Sequence, residues 1–359
     1  MKSIRLLILA SGRSYHATRW ANALSDRGIK VLFVTQHGVT RPLSSKVEVI
    51  ELKYKTKIGY FLNSLIVKDI INNFKPHIVH AHYATGYGLL GRLSTKSQDL
   101  IISVYGADVF DFPYKSITHK LLLKSILNGS HKVLSTSEVM ANEVLKLYPK
   151  FKRPEVTPFG VDTNLFSPKR AQHDNDLFTI GIVKKLEHKY GIDVLLNAVE
   201  KFYNKVTKNF QLIIVGEGSE LESLKNLSRK LGISKHVSFI GPILNKLVPS
   251  YLQSFDVFVV PSRLESESFG VAAVEASSCG LPVVVSNVGG LPEVILDKET
   301  GLVFKSGDSS ELYKILESLF YDKHTRHRLG NLGRARVEEY YDWEKNVSSM
   351  VKIYEKKLR

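Results

Sequence analysis

The chain has 359 residues with 43% hydrophobic and 24% charged residues, 50 Lys+Arg against 35 Asp+Glu, a formal net charge of +15 and a single cysteine, Cys279. That length is long for one core and comfortable for two domains, and the composition is that of an ordinary soluble globular protein. No segment reaches the roughly 18 to 20 uninterrupted apolar residues of a membrane span, and one cysteine excludes an internal disulfide, which fits a reducing cytoplasm.

From the start, strand-like apolar runs alternate with helical patterns. IRLLILA is followed by a helix over 15–26, then KVLFVT, VEVIEL, a helix near 60–74, HIVHAH, a helix near 87–93, LIISVYG, a helix near 116–127, HKVLSTS and a helix to Leu147. The amino terminus carries a charge inside its short apolar run and continues as strand and helix, so it does not read as a signal peptide. A polar join, SPKRAQHDND at 167–176, precedes a second series: LFTIGIV, QLIIVG, HVSFIG, DVFVVPS, PVVVS and GLVF. Helical patterns at 310–320, 323–340 and 343–358 close the chain. The alternation predicts two α/β domains, each a parallel sheet covered by helices. The charge is uneven. Residues 1–168 hold 23 Lys+Arg and 11 Asp+Glu, a net of +12, and the remainder carries +3. A basic face of this kind implies phosphates in a partner.

The stretch 261–295, PSRLESESFGVAAVEASSCGLPVVVSNVGGLPEVI, is the most informative. It reads as strand, polar loop and small-residue helix, with Gly280 and Pro282 as its stop and PVVVS as the next buried strand. In such a unit the loop lies at the carboxyl edge of a parallel sheet, and the first-turn amides around Ser268, Phe269, Gly270 and Val271 favour an anion. Glu267 and Glu275 bracket the turn, two helical turns apart. Carboxylates are good acceptors for sugar hydroxyls, so the arrangement suits a nucleotide sugar.

The order Glu-Ser-Phe-Gly, four residues, Glu275, then CGLPVV and GGLPEVI resembles the donor-site signature of the retaining glycosyltransferases of family 4. FGVDTNLF at 159–166, TGLVF at 300–304 and, more loosely, HAHYATGYG at 80–88 extend the likeness to nearly the whole chain. The resemblance implies the GT-B fold: two Rossmann-like, doubly wound parallel-sheet domains facing across a cleft. Residues 1–167 would form the acceptor domain and 177–342 the donor domain, with a last helix of about 343–359 crossing back onto the first and anchored by Trp343 and Tyr354. It implies transfer of a sugar, with retention and without a metal, from a UDP- or GDP-hexose to a glycan or polyprenyl-linked saccharide in surface polysaccharide synthesis of the bacterial type.

The resemblance also implies roles. Glu267 would contact the donor hexose and Glu275 the ribose. Family members have an Arg after the first donor-domain strand and a Lys five residues on, both on the diphosphate; Lys184 and Lys189 match, with Lys185 as an alternative register. Tyr105 stands where many relatives have a His before Gly-x-Asp, and Asp108 keeps its place. Gly12 and His16 lie at the first strand-to-helix turn, where the family's loop meets the cleft. From the residues themselves, Gly216 and Gly218 read as a tight strand-to-helix turn; with no third glycine they disfavour a dinucleotide-dependent oxidoreductase. His80 and His82 share one face of a strand; lacking framing carboxylates or cysteines, they read as structural or acceptor-side. Asp174-Asn175-Asp176 imitates an Asp-x-Asp metal motif but sits in the join, so no metal cofactor is expected.

Two rivals stay open: a sugar-nucleotide epimerase of the same fold, and a non-catalytic sugar-nucleotide or glycan-binding protein. Lys53, Lys55 and Lys57 run into apolar positions 58, 61, 62, 65, 66, 70 and 74, which read as one broad helical stripe packed on the sheet. The lysines ahead of it predict peripheral, Coulombic binding to an anionic membrane on its cytoplasmic face, and no nucleic acid partner is expected.

Overall fold

The computed structural model describes residues 4–168 and 177–358. Most of the polar join, with Asp174 and Asp176, lies outside the described residues. The chain divides into two units, Met1–Phe159 with Glu344–Arg359, and Gly160–Trp343. The change of unit thus comes before the polar join. The segment after Gly160 is held by its own unit: Val161 bridges to Asp342, the Thr163 hydroxyl donates to Asp342, and the Phe166 carbonyl accepts from Ser278 and Arg334.

In the first unit the order is β1 (Arg5–Leu9), α1 (Tyr15–Asp26), β2 (Lys30–Thr35), β3 (Glu48–Glu51), α2 (Gly59–Phe74), β4 (Ile78–His82), α3 (Leu89–Ser94), β5 (Leu100–Val104), α4 (Ala107–Phe110), α5 (Ile117–Asn128), β6 (Lys132–Ser135), α6 (Glu138–Leu147) and β7 (Glu155–Val156). The second holds β8 (Phe178–Val183), α7 (Ile192–Lys205), β9 (Phe210–Val215), α8 (Leu221–Lys230), β10 (Val237–Gly241), α9 (Val248–Leu252), β11 (Val257–Val260), α10 (Val271–Ser278), β12 (Val283–Ser286), α11 (Leu291–Val294), β13 (Leu302–Phe304), α12 (Ser309–Tyr321) and α13 (Lys323–Arg336); α14 (Trp343–Leu358) ends the chain. Serines start α1, α5 and α6 as side-chain caps: Ser14, Ser116 and Ser137 accept the amide N–H of Ala17, His119 and Met140. Each satisfies a first-turn donor that the helix cannot.

All strand pairs are parallel, in the orders β3-β2-β1-β4-β5-β6-β7 and β10-β9-β8-β11-β12-β13. Central strands such as RLLIL and VFVV are apolar without alternation because helices cover both faces. In both sheets the direction of winding reverses beside the first strand, between β1 and β4 and between β8 and β11. Those reversals open crevices at the carboxyl ends, where ligands bind in doubly wound sheets.

One expectation fails. The α2 positions do not form a single stripe facing the sheet. Val67 is fully buried and Ile66, Ile70, Ile71 and Phe74 pack on the same core, whereas Ile58, Phe61, Leu62 and Leu65 are exposed. At 3.6 residues per turn the second set centres roughly half a turn round the helix from Val67. The apolar residues therefore make two stripes on opposite sides.

Candidate functional site

The site is built first in the second unit, around the reversal between β8 and β11. Lys184 follows β8 directly, and its backbone N–H donates to Val215 O at 2.9 Å. Glu267 lies in the loop between β11 and α10. Their side chains meet at 2.8 Å, with 14% and 11% of each exposed, and the Ser262 hydroxyl lies 3.3 Å from the same carboxylate oxygen. Lys185 points outward, 72% exposed, so Lys184 is the lysine of this pair that faces the crevice. Lys189 sits on the short turn His188–Tyr190, and Lys184 and Lys189 approach the Tyr190 ring at 4.6 and 4.8 Å from its centroid. Partial burial works against the Lys189 ammonium, but Tyr190, Glu187 and Glu267 outweigh it and its pKa stands above the ordinary value. Two cations, one carboxylate and one aromatic ring are thus gathered at the sheet edge. That set can hold a diphosphate and accept hydroxyls.

Glycines let these loops approach. Gly216, at φ +139°, leaves 1.9 Å between a built Cβ and Lys184 O, so only glycine allows β9 to turn beside Lys184. It belongs to the frame of the site, as does Gly218. Gly270 adopts φ +84° immediately before α10, which directs the first-turn amides of that helix into the crevice edge. Ser268 and Phe269 are buried, Phe269 lying edge-on to Tyr341 at 5.5 Å between centroids. Val271 opens α10 and is partly exposed. Glu275 is half-buried two turns along the same helix, near Cys279, whose thiol is pushed up to about 12 by burial and by the Glu275 charge.

The first unit has its own cluster at the carboxyl ends of β1, β4 and β5. Asp108 is fully buried, and its carboxylate accepts the backbone N–H of Ala84, Tyr105 and Gly106 at 2.8 to 3.3 Å. Burial raises its pKa, opposed by those amides. A carboxylate that accepts these backbone donors ties the loops after β4 and β5 together. Tyr105 turns inward, its hydroxyl 2.5 Å from His82 Nδ1. His80 Nδ1 lies 2.7 Å from the Tyr354 hydroxyl, and its Nε2 lies 2.8 Å from the Ser103 hydroxyl. Burial lowers His80 strongly and His82 to about 3, so both are neutral at pH 7. His16 stacks on Phe159 at 3.9 Å and is lowered to about 4 by burial and by Arg19. Gly12 donates its N–H to Thr35 Oγ1, and a Cβ there would lie 2.2 Å from Gly38 O. Among the described residues no group of three or more His, Cys, Asp or Glu is placed to hold a metal ion.

Comparison with known proteins decides the family. The model for glycosyl transferases group 1 matches residues 165–336, and that for glycosyl transferase 4-like proteins matches 5–137. This chain belongs to the group 1 glycosyl transferases. A GDP-mannose-dependent alpha-(1-6)-phosphatidylinositol monomannoside mannosyltransferase of Mycolicibacterium smegmatis is 28% identical over 80% of this chain and 78% of its own. Sucrose-phosphate synthase from Thermosynechococcus elongatus superposes with a TM-score of 0.86 at 22% identity, covering 98% of both chains. Anabaena HepE in complex with UDP gives 0.81 at 17% identity, over 98% of this chain and 100% of that one. The fold is GT-B.

Several residues of this glycosyl transferase site are given no role by the sequence reading, although Gly289 and Gly290 lie within its GGLPEVI match. Gly289 and Gly290 support the Glu267 loop from below: Gly289 donates its N–H to Glu265 Oε2 and Gly290 to Glu267 O, and built Cβ atoms would lie 2.2 Å from Glu267 O and 2.3 Å from Ser268 O. Gly191, at φ +64°, fits 2.0 Å from Pro261 O by the same measure, and Arg263 donates its backbone N–H to Lys189 O while its guanidinium pairs with Asp193. The loops after β8, β11 and β12 are therefore one interlocked piece. In the first unit, His37, Tyr60 and Tyr87 cluster at the carboxyl edge, with His37 Nδ1 2.7 Å from the Tyr87 hydroxyl. Neighbouring Tyr83 holds φ +84°, a conformation rare for a side-chain-bearing residue and often stored at functional sites.

Proposed function

We propose that this glycosyl transferase moves a hexose from a UDP- or GDP-linked donor to a glycan or polyprenyl-linked saccharide with retention at the anomeric carbon. The observation that carries the reading is the Lys184–Glu267 pair at the β8/β11 reversal, beside the amino end of α10. The donor diphosphate lies along Lys184, Lys189 and the first amides of α10; Glu267 turns from Lys184 to the hexose hydroxyls, and Glu275 takes the ribose. As the anomeric carbon–phosphate oxygen bond breaks, the acceptor oxygen attacks from the same face, and its proton passes to the departing phosphate. Charge building on that phosphate is offset by the two ammonium groups and the helix amides.

A relative named for GDP-mannose and a neighbour bound to UDP support a nucleotide-sugar donor. The same relative is named for a phosphatidylinositol acceptor, and no helix among the described residues is long and apolar enough to cross a membrane. Both fit a lipid-linked acceptor reached by peripheral binding at an anionic cytoplasmic leaflet. The test is a thermal-shift screen of nucleotide sugars, then release of free nucleoside diphosphate with and without acceptors. Release that requires acceptor supports transfer. Conversion of the donor alone would mark an epimerase, and binding without turnover a sugar-nucleotide-binding protein.

A further inference from the structure

We propose that the first unit enters a lipid leaflet with an apolar rim formed by the first turns of α2 and α5, so that its membrane attachment is hydrophobic insertion guided by lysines. This rests on the peripheral attachment of the proposed function and assigns its mode. On α2, Ile58, Phe61, Leu62 and Leu65 are 66, 55, 49 and 67% exposed; on α5, Ile117 and Leu121 are 68 and 57% exposed. In both helices these residues lie opposite the buried line, which is Val67 on α2 and Leu123, Ile126 and Leu127 on α5. Those buried residues share one core cluster, so both helices cover the same face of the first sheet. Between them lies α3, joined to α2 by the Ser94 hydroxyl on Ser64 O and adding Leu93 to the exposed set.

Apolar residues at i, i+3, i+4 and i+7 on the solvent side of a helix already anchored by its other side make a contiguous patch with no intramolecular use. The surrounding charge selects the occupant. Neither 52–68 nor 112–137 contains an Asp or Glu, while Lys53, Lys55, Lys57 and Lys68 accompany the α2 set and Lys115, Lys120 and Lys124 the α5 set. The acids nearby are Asp69, exposed on α2 one turn beyond Leu65, Asp111 ahead of α5, Glu51 on Lys55 and Glu143 on the Tyr114 hydroxyl, four against the seven lysines. Apolar tips in a lysine collar match an anionic headgroup layer over acyl chains.

The rim is also firmly built. The Asn63 amide accepts the Tyr54 backbone N–H at 3.2 Å and donates to Tyr54 O at 2.8 Å, and a Cβ on Gly59 would lie 2.3 Å from Tyr54 O. The lysine loop is thereby fixed on α2. Because each helix follows its strand in a parallel sheet, the first turns of α2 and α5 stand at the carboxyl edge, the edge that holds His37, Tyr60 and Tyr87. A lipid-linked acceptor seated there keeps its saccharide at the sheet edge while its tail stays in the leaflet.

The experiment is sedimentation of the whole protein with vesicles of phosphatidylglycerol and phosphatidylcholine, or of phosphatidylcholine alone. It is run at about 0.1 M and about 1 M salt, where charges are screened beyond about 10 and 3 Å. Phe61→Ser with Leu65→Ser should lower partition into anionic vesicles at least about tenfold at both salts, leaving donor thermal shifts unchanged. Lys53→Glu, Lys55→Glu and Lys57→Glu together should lower it mainly at low salt, and Leu332→Ser, an exposed position of the second unit, should not change it. The fluorescence of a Phe61→Trp variant should shift to shorter wavelength with anionic vesicles, by more than that of the parent protein. A serine variant that sediments like the parent, or a Phe61→Trp variant whose emission does not move, overturns insertion; if the lysine variant still loses binding, Coulombic attachment survives. A self-association that the serine substitutions abolish while vesicle binding persists makes a second copy the occupant and overturns the proposal. No sedimentation of the parent protein removes both insertion and the membrane part of the proposed function.

Discussion

At the scale of single residues, Lys184 and Glu267 carry most of the argument, since they satisfy one another within a crevice edge that the loops around them keep in shape. Glu267→Gln removes the charge but keeps an acceptor, so the donor should still bind while turnover falls by roughly 10²-fold, the size of losing one electrostatic contact to a changing centre. Glu275→Ala should instead weaken donor affinity about tenfold with a smaller change in turnover. Steady-state kinetics with the donor found by the thermal-shift screen separate the two patterns, and wild-type values for both variants remove the donor-site assignment. On the proposed reading Lys184, Lys189 and the α10 amides supply the positive charge, so activity should also survive exhaustive chelation by EDTA. Complete loss restored by Mn²⁺ would assign the charge to a metal. Gly289→Ala should depress turnover as Glu267→Gln does, because a Cβ there meets the Glu267 carbonyl.

The elements show which kinds of information a sequence carries. Periodicity and capping act locally, and the patterns read at 15–26 and 343–358 coincide with α1 and α14. The Glu267 and Lys184 positions were legible because motif order ties them to the ends of particular strands. What periodicity cannot report is which side of a helix faces the sheet when apolar residues occupy both, and α2 is that case: 58, 61, 62 and 65 merge with 66, 70 and 74 into one apparent stripe. Nor does Asp108 announce all of its partners: Tyr105 and Gly106 are local donors, but the Ala84 amide reaches it only after β4 and β5 pair. The seat of α14 is equally non-local. Its Tyr354 is fully buried against His80, so Tyr354→Phe should leave a buried imidazole nitrogen without a partner and cost about 1–3 kcal/mol in urea unfolding.

At the scale of the molecule, each unit has a core of its own, and the two should answer to different perturbations. The buried histidines belong to the first unit. His80 and His82 are held below the ordinary value of 6.5, mainly by burial, and the unfolded chain therefore binds protons in the window where the folded one does not. Their contribution to stability is fully present above pH 6.5 and is lost as pH falls from there, toward about 3 in the case of His82, at up to about 1.4 kcal/mol per pH unit for each site. On the proposed reading the donor acts on the second unit, where the loops after β8, β11 and β12 interlock. A nucleotide sugar at about 100 times its dissociation constant should stabilise that unit by roughly 2.7 kcal/mol. Amide hydrogen exchange distinguishes the two effects. Lowering pH from 7 to 5 should speed global-type exchange in β1, β4 and β5, after correction for intrinsic rates, and leave β8, β9 and β11 less affected; donor at pH 7 should slow exchange in the 184–191 and 261–271 loops and in the strands they cap. Replacing both histidines by Gln should lower stability at pH 7 but flatten its fall toward pH 5. An acid response that is uniform across both sheets, or that the double replacement leaves unchanged, would show that the buried imidazoles do not set it.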